Sequence, residues 1–235
     1  MNRRPSGEAP QAAPLLVDLP KPDRPPVDYG NLKGVVSVSC VVADAQARRG
    51  VMHSSLRMRS VMQTFIGPAV TVRLSPGNLI DPLAVLDLVS AGDVVVVDAF
   101  GESETSVWGG LMCGLARAKG VAGVVIDGSA RDIDEARLLR FPIVSRSVSP
   151  RSTHSPITGS FVPIELNTPI NCGGIIVSPG DMVVADEVGV AVVARAELAE
   201  VYERALSQAD LEARTRADIL NGMSYPELLA KYGRI

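Results

Sequence analysis

GDVVVVDAFGESETSVWGGLMCGLARAKGVAGVVIDGSARD, residues 92–132, holds the pattern that decides the fold. VVVVD at 94–98 is a continuous apolar run, the signature of a parallel strand buried on both faces. A helix is expected over 108–119, stopped by Gly120, with a second buried strand over 121–127 and another helix opening near Asp132. Strand–helix–strand–helix with short connections is the grammar of a βαβ crossover. That pattern implies an α/β fold around a buried, mostly parallel sheet.

Working outward, PAVTVRL at 68–74 alternates like a strand, while 39–50 and 82–90 have helical character. After Asp132 the rhythm changes. Short β-branched runs at 141–145, 161–166, 174–178, 182–185 and 190–194 are separated by Gly and Pro, as in a meander or small β-layer. Residues 196–220 are charged at helical spacing and form a long C-terminal helix, and SYPELLAKYG adds a short capped one. PKPDRPP at 20–26 marks 1–30 as a mobile arm, leaving 31–195 as the α/β domain and 196–235 as a helical extension.

Composition narrows the function. Hydrophobic residues make up 46% and charged residues 21%, an ordinary globular balance, while aromatics are only 4%, so aliphatic side chains fill the core. A formal charge of −3 gives no basic field for nucleic acid or anionic lipid. No apolar run is long enough to cross a bilayer and the N-terminus lacks a secretory core, so cytoplasm is the expected compartment. Cys40, Cys113 and Cys172 show no CxxC spacing and are expected to be buried, inert small side chains. His53 and His154 have no partner at metal-ligand spacing, His154 falling in a loop, and GxGxxG is absent.

Ligands of open parallel sheets bind beyond the carboxyl ends of the strands. Two such ends are recognisable. At Trp108-Gly109-Gly110 two glycines open a helix whose free amides near Leu111 and Met112 would attract a carboxylate. GVVIDGSARD delivers Asp127, Gly128, Arg131 and Asp132 to the same rim. There a guanidinium clamps a carboxylate or polarises a ketone, and a carboxylate holds a hard cation such as Mg²⁺. The alternative is structural, since Asp132-Ile133-Asp134-Glu135 also reads as a capping box with Asp132 as the cap and Glu135 reaching back.

WGGLMCGLARAKGVAGVVIDGSARD, preceded by GDVVVVD and followed by PGDMVVADEVGVAVV, together with GVMHSSLRMR at 50–59 and PAVTVRLSPGN, resembles the RraA-like superfamily. That family holds class II 4-hydroxy-4-methyl-2-oxoglutarate / 4-carboxy-4-hydroxy-2-oxoadipate aldolases and the RraA regulators of ribonuclease E. The resemblance runs from about Gly34 to Ala194, more loosely beyond. It implies a swivelling β/β/α fold, assembly as a homotrimer or dimer of trimers, and sites at subunit boundaries. It implies further that Asp132 binds Mg²⁺ or Mn²⁺, that Arg131 contacts a small 2-oxo acid, and that the amides of Leu111 and Met112 take its carboxylate. The activity so implied is a metal-dependent carbon–carbon lyase, aldolase or oxaloacetate-type decarboxylase, passing through a pyruvate enolate. The alternatives are a non-catalytic regulator binding a ribonuclease or helicase, or a related lyase or isomerase on another acid.

One position departs from the pattern. The aldolases carry an acidic residue directly after the Trp-Gly, where it holds metal-bound water, and this chain has Gly110. Aldol cleavage must remove a hydroxyl proton and decarboxylation need not, so the change should penalise the former more. Glu102, Glu104, or Asp210 or Glu212 of a neighbouring subunit are the candidates to make good the loss.

Overall fold

The computed structural model describes residues 28–76, 79–153 and 164–233. Most of the expected arm, His154, and the beginning of the strand expected at 161–166 lie outside the described residues. A 3-10 turn at Tyr29–Leu32 leads into α1 (Val38–Ala45), β1 (Arg57–Met58) and β2 (Phe65–Arg73). A second 3-10 turn, Leu83–Asp87, precedes β3 (Val94–Asp98), β4 (Ser106–Trp108), α2 (Gly110–Ala118), β5 (Gly123–Ala130), α3 (Ile133–Leu138) and β6 (Ile143–Val148). Next come β7 (Glu165–Leu166), β8 (Ile170–Cys172), β9 (Ile175–Val177), β10 (Met182–Ala185) and β11 (Val190–Val193). The chain closes with α4 (Leu198–Leu220) and α5 (Tyr225–Tyr232).

Strands run in the order β1-β6-β5-β3-β2-β10-β11. The centre, β6-β5-β3-β2, is parallel, with Val94–Asp98 aligned against Ala69–Arg73 on one side and Gly123–Asp127 on the other. Antiparallel β10 and β11 extend the sheet beyond β2. Thus 182–185 and 190–194, expected in a separate meander, join the main sheet. Among the described residues, β8 and β9 alone form a small sheet of their own.

Three apolar clusters explain the layering. On one face, Val95, Val97, Val124 and Ile126 pack against Met112, Cys113 and Ala116 of α2 and Ala136 of α3. On the other, Val94, Val96 and Val125 meet Ile170, Cys172 and Val177, and the β10–β11 pair curls over them through Val183, Ala185, Val190 and Val192. The remaining side of β10–β11 packs on α1 and the first turns of α4 through Met182, Val184, Ala191, Val193, Val38, Val42, Leu198 and Val201. All five residues of β3 are buried, so its valines each contribute about 1.5–3 kcal/mol relative to exposure. The layers are therefore β, β and α, as the resemblance implied.

Four elements differ from expectation for identifiable reasons. Residues 82–90 hold a 3-10 turn rather than an α-helix, with Pro82 at its N-cap. Trp108 ends the short strand β4, paired with Ala130 of β5, and α2 begins only at Gly110. Residues 57–58 and 170–172 are strands of two and three residues, too brief for any periodicity to show.

Candidate functional site

The rim lies where β4 and β5 end side by side. Arg131 N–H donates to the Trp108 carbonyl at 2.9 Å, so the ladder carries Gly109-Gly110 and Arg131-Asp132 off the sheet next to one another. Trp108 is buried beneath them. Gly109 is the extended N-cap of α2, and Gly110, Leu111 and Met112 form the first turn, whose amides have no partner within the helix. The Met112 side chain packs into the core while that of Leu111 is exposed, so the backbone is what this turn offers.

Asp132 has a left-handed backbone, φ 53°, a conformation that Asp and Asn adopt more readily than most residues. It occupies the N-cap position of α3, yet its side chain makes no capping bond to that helix. Instead Oδ2 accepts from the Gly110 amide at 3.0 Å, with Arg131 Nε 3.6 Å away. The capping box that stood as the structural alternative is therefore absent here, whereas Ser224 and Glu227 make one at the start of α5. Asp132 and Arg131 remain open to solvent, their side chains 43% and 37% exposed.

Side chains of Arg131, Asp132 and Glu135 lie over the two glycines. A Cβ at Gly109 would sit 2.7 Å from Asp132 Oδ2 and 3.0 Å from Arg131 Nε. A Cβ at Gly110 would overlap the Glu135 carboxylate and approach its Cγ to 3.0 Å. Sequence reasoning took Glu135 only as a capping partner. No local sequence pattern marks it, because the contact joins α3 to the start of α2.

Other candidates are placed elsewhere. Asp127 leaves β5 on the β8–β9 face, opposite α2, rather than joining the rim, because side chains alternate along a strand. There Arg146 Nε donates to its Oδ1 at 2.6 Å and Gly173 N–H to its Oδ2 at 2.7 Å. It shares with Arg73, Asp98, Phe100, Asn171 and Ile176 a cavity of about 530 Å³. Burial, only partly offset by the Phe100 amide and by Arg73, raises the Asp98 carboxyl above the usual range. Glu102 accepts from the amides of Glu104 and Thr105, fixing its own loop. Asp210 pairs with Arg214, and Glu212 with Arg216, along the exposed face of α4. Burial pushes the Cys113 thiol up to about 12, consistent with a packing role, and Cys172 is likewise buried. Cys40 is exposed, correcting the expectation that all three cysteines are interior.

A parallel β-core under a Gly-Gly helix start and an Arg-Asp pair defines the chain as a β/β/α protein of the RraA type. A family model described as RraA-like, Aldolase/RraA, matches residues 39–192, and the chain belongs to that family. A Halalkalibacterium halodurans protein named "Putative 4-hydroxy-4-methyl-2-oxoglutarate aldolase" is 32% identical over 206 residues, covering 87% of this chain and 95% of its own. Among solved structures, an uncharacterized protein from Pseudomonas syringae superposes with a TM-score of 0.73 at 28% identity, over 85% of this chain and 94% of its own. A Streptomyces coelicolor protein described as an unusual member of the RNase ES inhibitor RraA family gives 0.68 at 29% identity, over 83% and 98% respectively.

Proposed function

We propose that this chain is a divalent-metal-dependent carbon–carbon lyase acting on a small 2-oxo acid through a pyruvate enolate, by aldol cleavage, oxaloacetate-type decarboxylation or both. The carrying observation is that the Asp132 carboxylate turns from its own helix to the first amide of α2, beside Arg131. The name of the Halalkalibacterium relative supports the substrate class.

The donor set suits Mg²⁺ or Mn²⁺. Asp132 offers a half-exposed carboxylate, and no group of three or more His, Cys, Asp or Glu able to cage a metal occurs among the described residues. Hard cations that retain water need only one or two carboxylates, whereas a closed zinc site needs more ligands. Bound at Asp132, the ion supplies Lewis-acid polarisation of the 2-oxo group. Arg131 presents a permanent positive charge to the oxygen on which the enolate charge develops. The amides of Leu111 and Met112 receive the substrate carboxylate at the helix N-terminus. In this reading the protein is cytoplasmic and a homotrimer or dimer of trimers, with Asp210 or Glu212 of a neighbouring copy at the rim.

The likeness to the Streptomyces protein favours a second reading, a non-catalytic regulator of a ribonuclease. Thermal melts with Mg²⁺ and oxalate, an enolate mimic, separate the two. Under the lyase reading oxalate raises Tm only when Mg²⁺ or Mn²⁺ is present, because a ligand selective for the folded state stabilises it. No shift, together with no turnover of oxaloacetate or a 4-hydroxy-2-oxo acid, leaves the regulator reading.

A further inference from the structure

Glu135 is an acidic side chain at the rim to which neither the fold nor the proposed reaction assigns a part. Its backbone is fixed in α3, where its carbonyl accepts from the Leu139 amide at 2.9 Å. Its side chain leaves that helix and lies over the first residue of α2, in the room that Gly110 lacks a Cβ to fill. Asp132 lies in the same way over Gly109. Consecutive glycines thus form a floor carrying two carboxylates, one donated by the residue before α3 and the other by its first turn. Asp132 is held there by the Gly110 amide and flanked by Arg131, while Glu135 remains exposed to solvent.

We propose that Glu135 faces the substrate as the proton acceptor for the C4 hydroxyl of a 4-hydroxy-2-oxo acid, directly or through one water. The role rests on the lyase reading and assigns it a residue. As Glu135 takes the hydroxyl proton, the O–H electron pair becomes the new C4 carbonyl. The C3–C4 pair then moves into a C2–C3 double bond, and the former C2 carbonyl pair becomes the enolate oxygen charge facing Arg131. Protonation at C3 releases pyruvate and returns the proton count to its start. A 2-oxo acid losing CO₂ has no hydroxyl to deprotonate and makes no demand on Glu135. The carboxylate therefore sorts the two reactions.

The test compares wild type, Glu135→Gln, Glu135→Ala and the relocation variant Gly110→Asp/Glu135→Ala, each with Mg²⁺. In Glu135→Gln, kcat for aldol cleavage should fall by about 10²–10⁴-fold, the usual value of positioned proton transfer, with KM changed only a few-fold. Oxaloacetate decarboxylation and the Mg²⁺-dependent oxalate shift in Tm should both persist. In the relocation variant, the carboxylate returns from α2 into the space vacated by Glu135 and should restore aldol cleavage at least tenfold over Glu135→Ala alone. Equal losses in both reactions, or loss of the oxalate shift, would make Glu135 a cation ligand or a structural residue and overturn the assignment. Unchanged aldol cleavage in Glu135→Gln would overturn it as well. Failure of the lyase reading shows differently, as wild type lacking both activities and the oxalate shift, and it removes the Glu135 role too.

Discussion

Replacing Asp132 by Asn and by Ala separates what the residue does for the fold from what it does for a ligand. Asn retains an oxygen that can accept from the Gly110 amide, now 3.0 Å from Asp132 Oδ2, and it tolerates the left-handed backbone at φ 53°. Its cost is the lost negative charge at the start of α2, about 0.3–1 kcal/mol. Ala forfeits that charge, the half-exposed charge-assisted hydrogen bond, worth about 1 kcal/mol after solvent competition, and adds about 1 kcal/mol for the left-handed backbone. Ala should therefore cost about 2–3 kcal/mol in all, roughly 4–12 °C in Tm for a chain of this size, against about 1–4 °C for Asn. Oxalate at a hundred times its Kd should stabilise the wild type by about 2.7 kcal/mol, roughly 5–11 °C, when Mg²⁺ is present. A neutral amide is a poor ligand for that ion, so Asn should lose the whole of this increment while keeping its fold. Differential scanning fluorimetry with and without Mg²⁺ and oxalate reads all four quantities. The reasoning fails if Asp132→Asn keeps a metal-dependent oxalate shift, or if Ala is as stable as Asn.

Two further perturbations probe groups away from the rim. Burial raises the Asp98 carboxyl, so between the ordinary carboxylate range and its raised value the folded chain holds a proton that the unfolded chain has released. Stability contributed by this group therefore falls as pH rises through that window, and Asp98→Asn should gain Tm relative to wild type more at pH 7 than at pH 4. An equal difference at both pH values would contradict it. Asp218 binds Lys231 Nζ and the Tyr232 hydroxyl, both at 2.6 Å, tying α5 back onto α4, and these bonds hold its carboxyl below the usual range. The tie is complete above the ordinary carboxylate range and is lost as pH falls through the depressed value. Asp218→Ala should speed amide exchange across Tyr225–Tyr232 without affecting β3, and protection unchanged in α5 would rule the tie out.

Much of the α/β core was legible because its strands are apolar on both faces. VVVVD at 94–98 and the run at 182–185 match observed strands to the residue, and β-branched continuity is a strong local signal. The short strands were not legible. Arg57–Met58 and Ile170–Cys172 are strands only because β6 and β9 lie beside them, which no local pattern records. At the rim, residue types and order pointed to Arg131, Asp132 and the start of α2, but not to which face each side chain takes. Asp127 was drawn to the wrong face, since its order along β5 was read without the alternation that turns it toward Gly173. Glu135 escaped notice because its position follows from the missing Cβ at Gly110, a relation across 25 positions of sequence that only the packing of α3 on α2 creates.

The seam between β2 and β10 bears on how the chain emerges during synthesis. Register pairs Pro68 with Met182 and Phe65 with Ala185, so the outer edge of β2 waits for a partner made on the order of 100 residues later. At typical translation speeds of about 5–20 residues per second, that edge is open for roughly 5–20 s. Exposed edges invite neighbouring nascent chains to add on. Ala69, whose N–H donates to Asp181 and whose carbonyl accepts from Gly180 in the finished sheet, is a part of that edge left without those partners until β10 arrives.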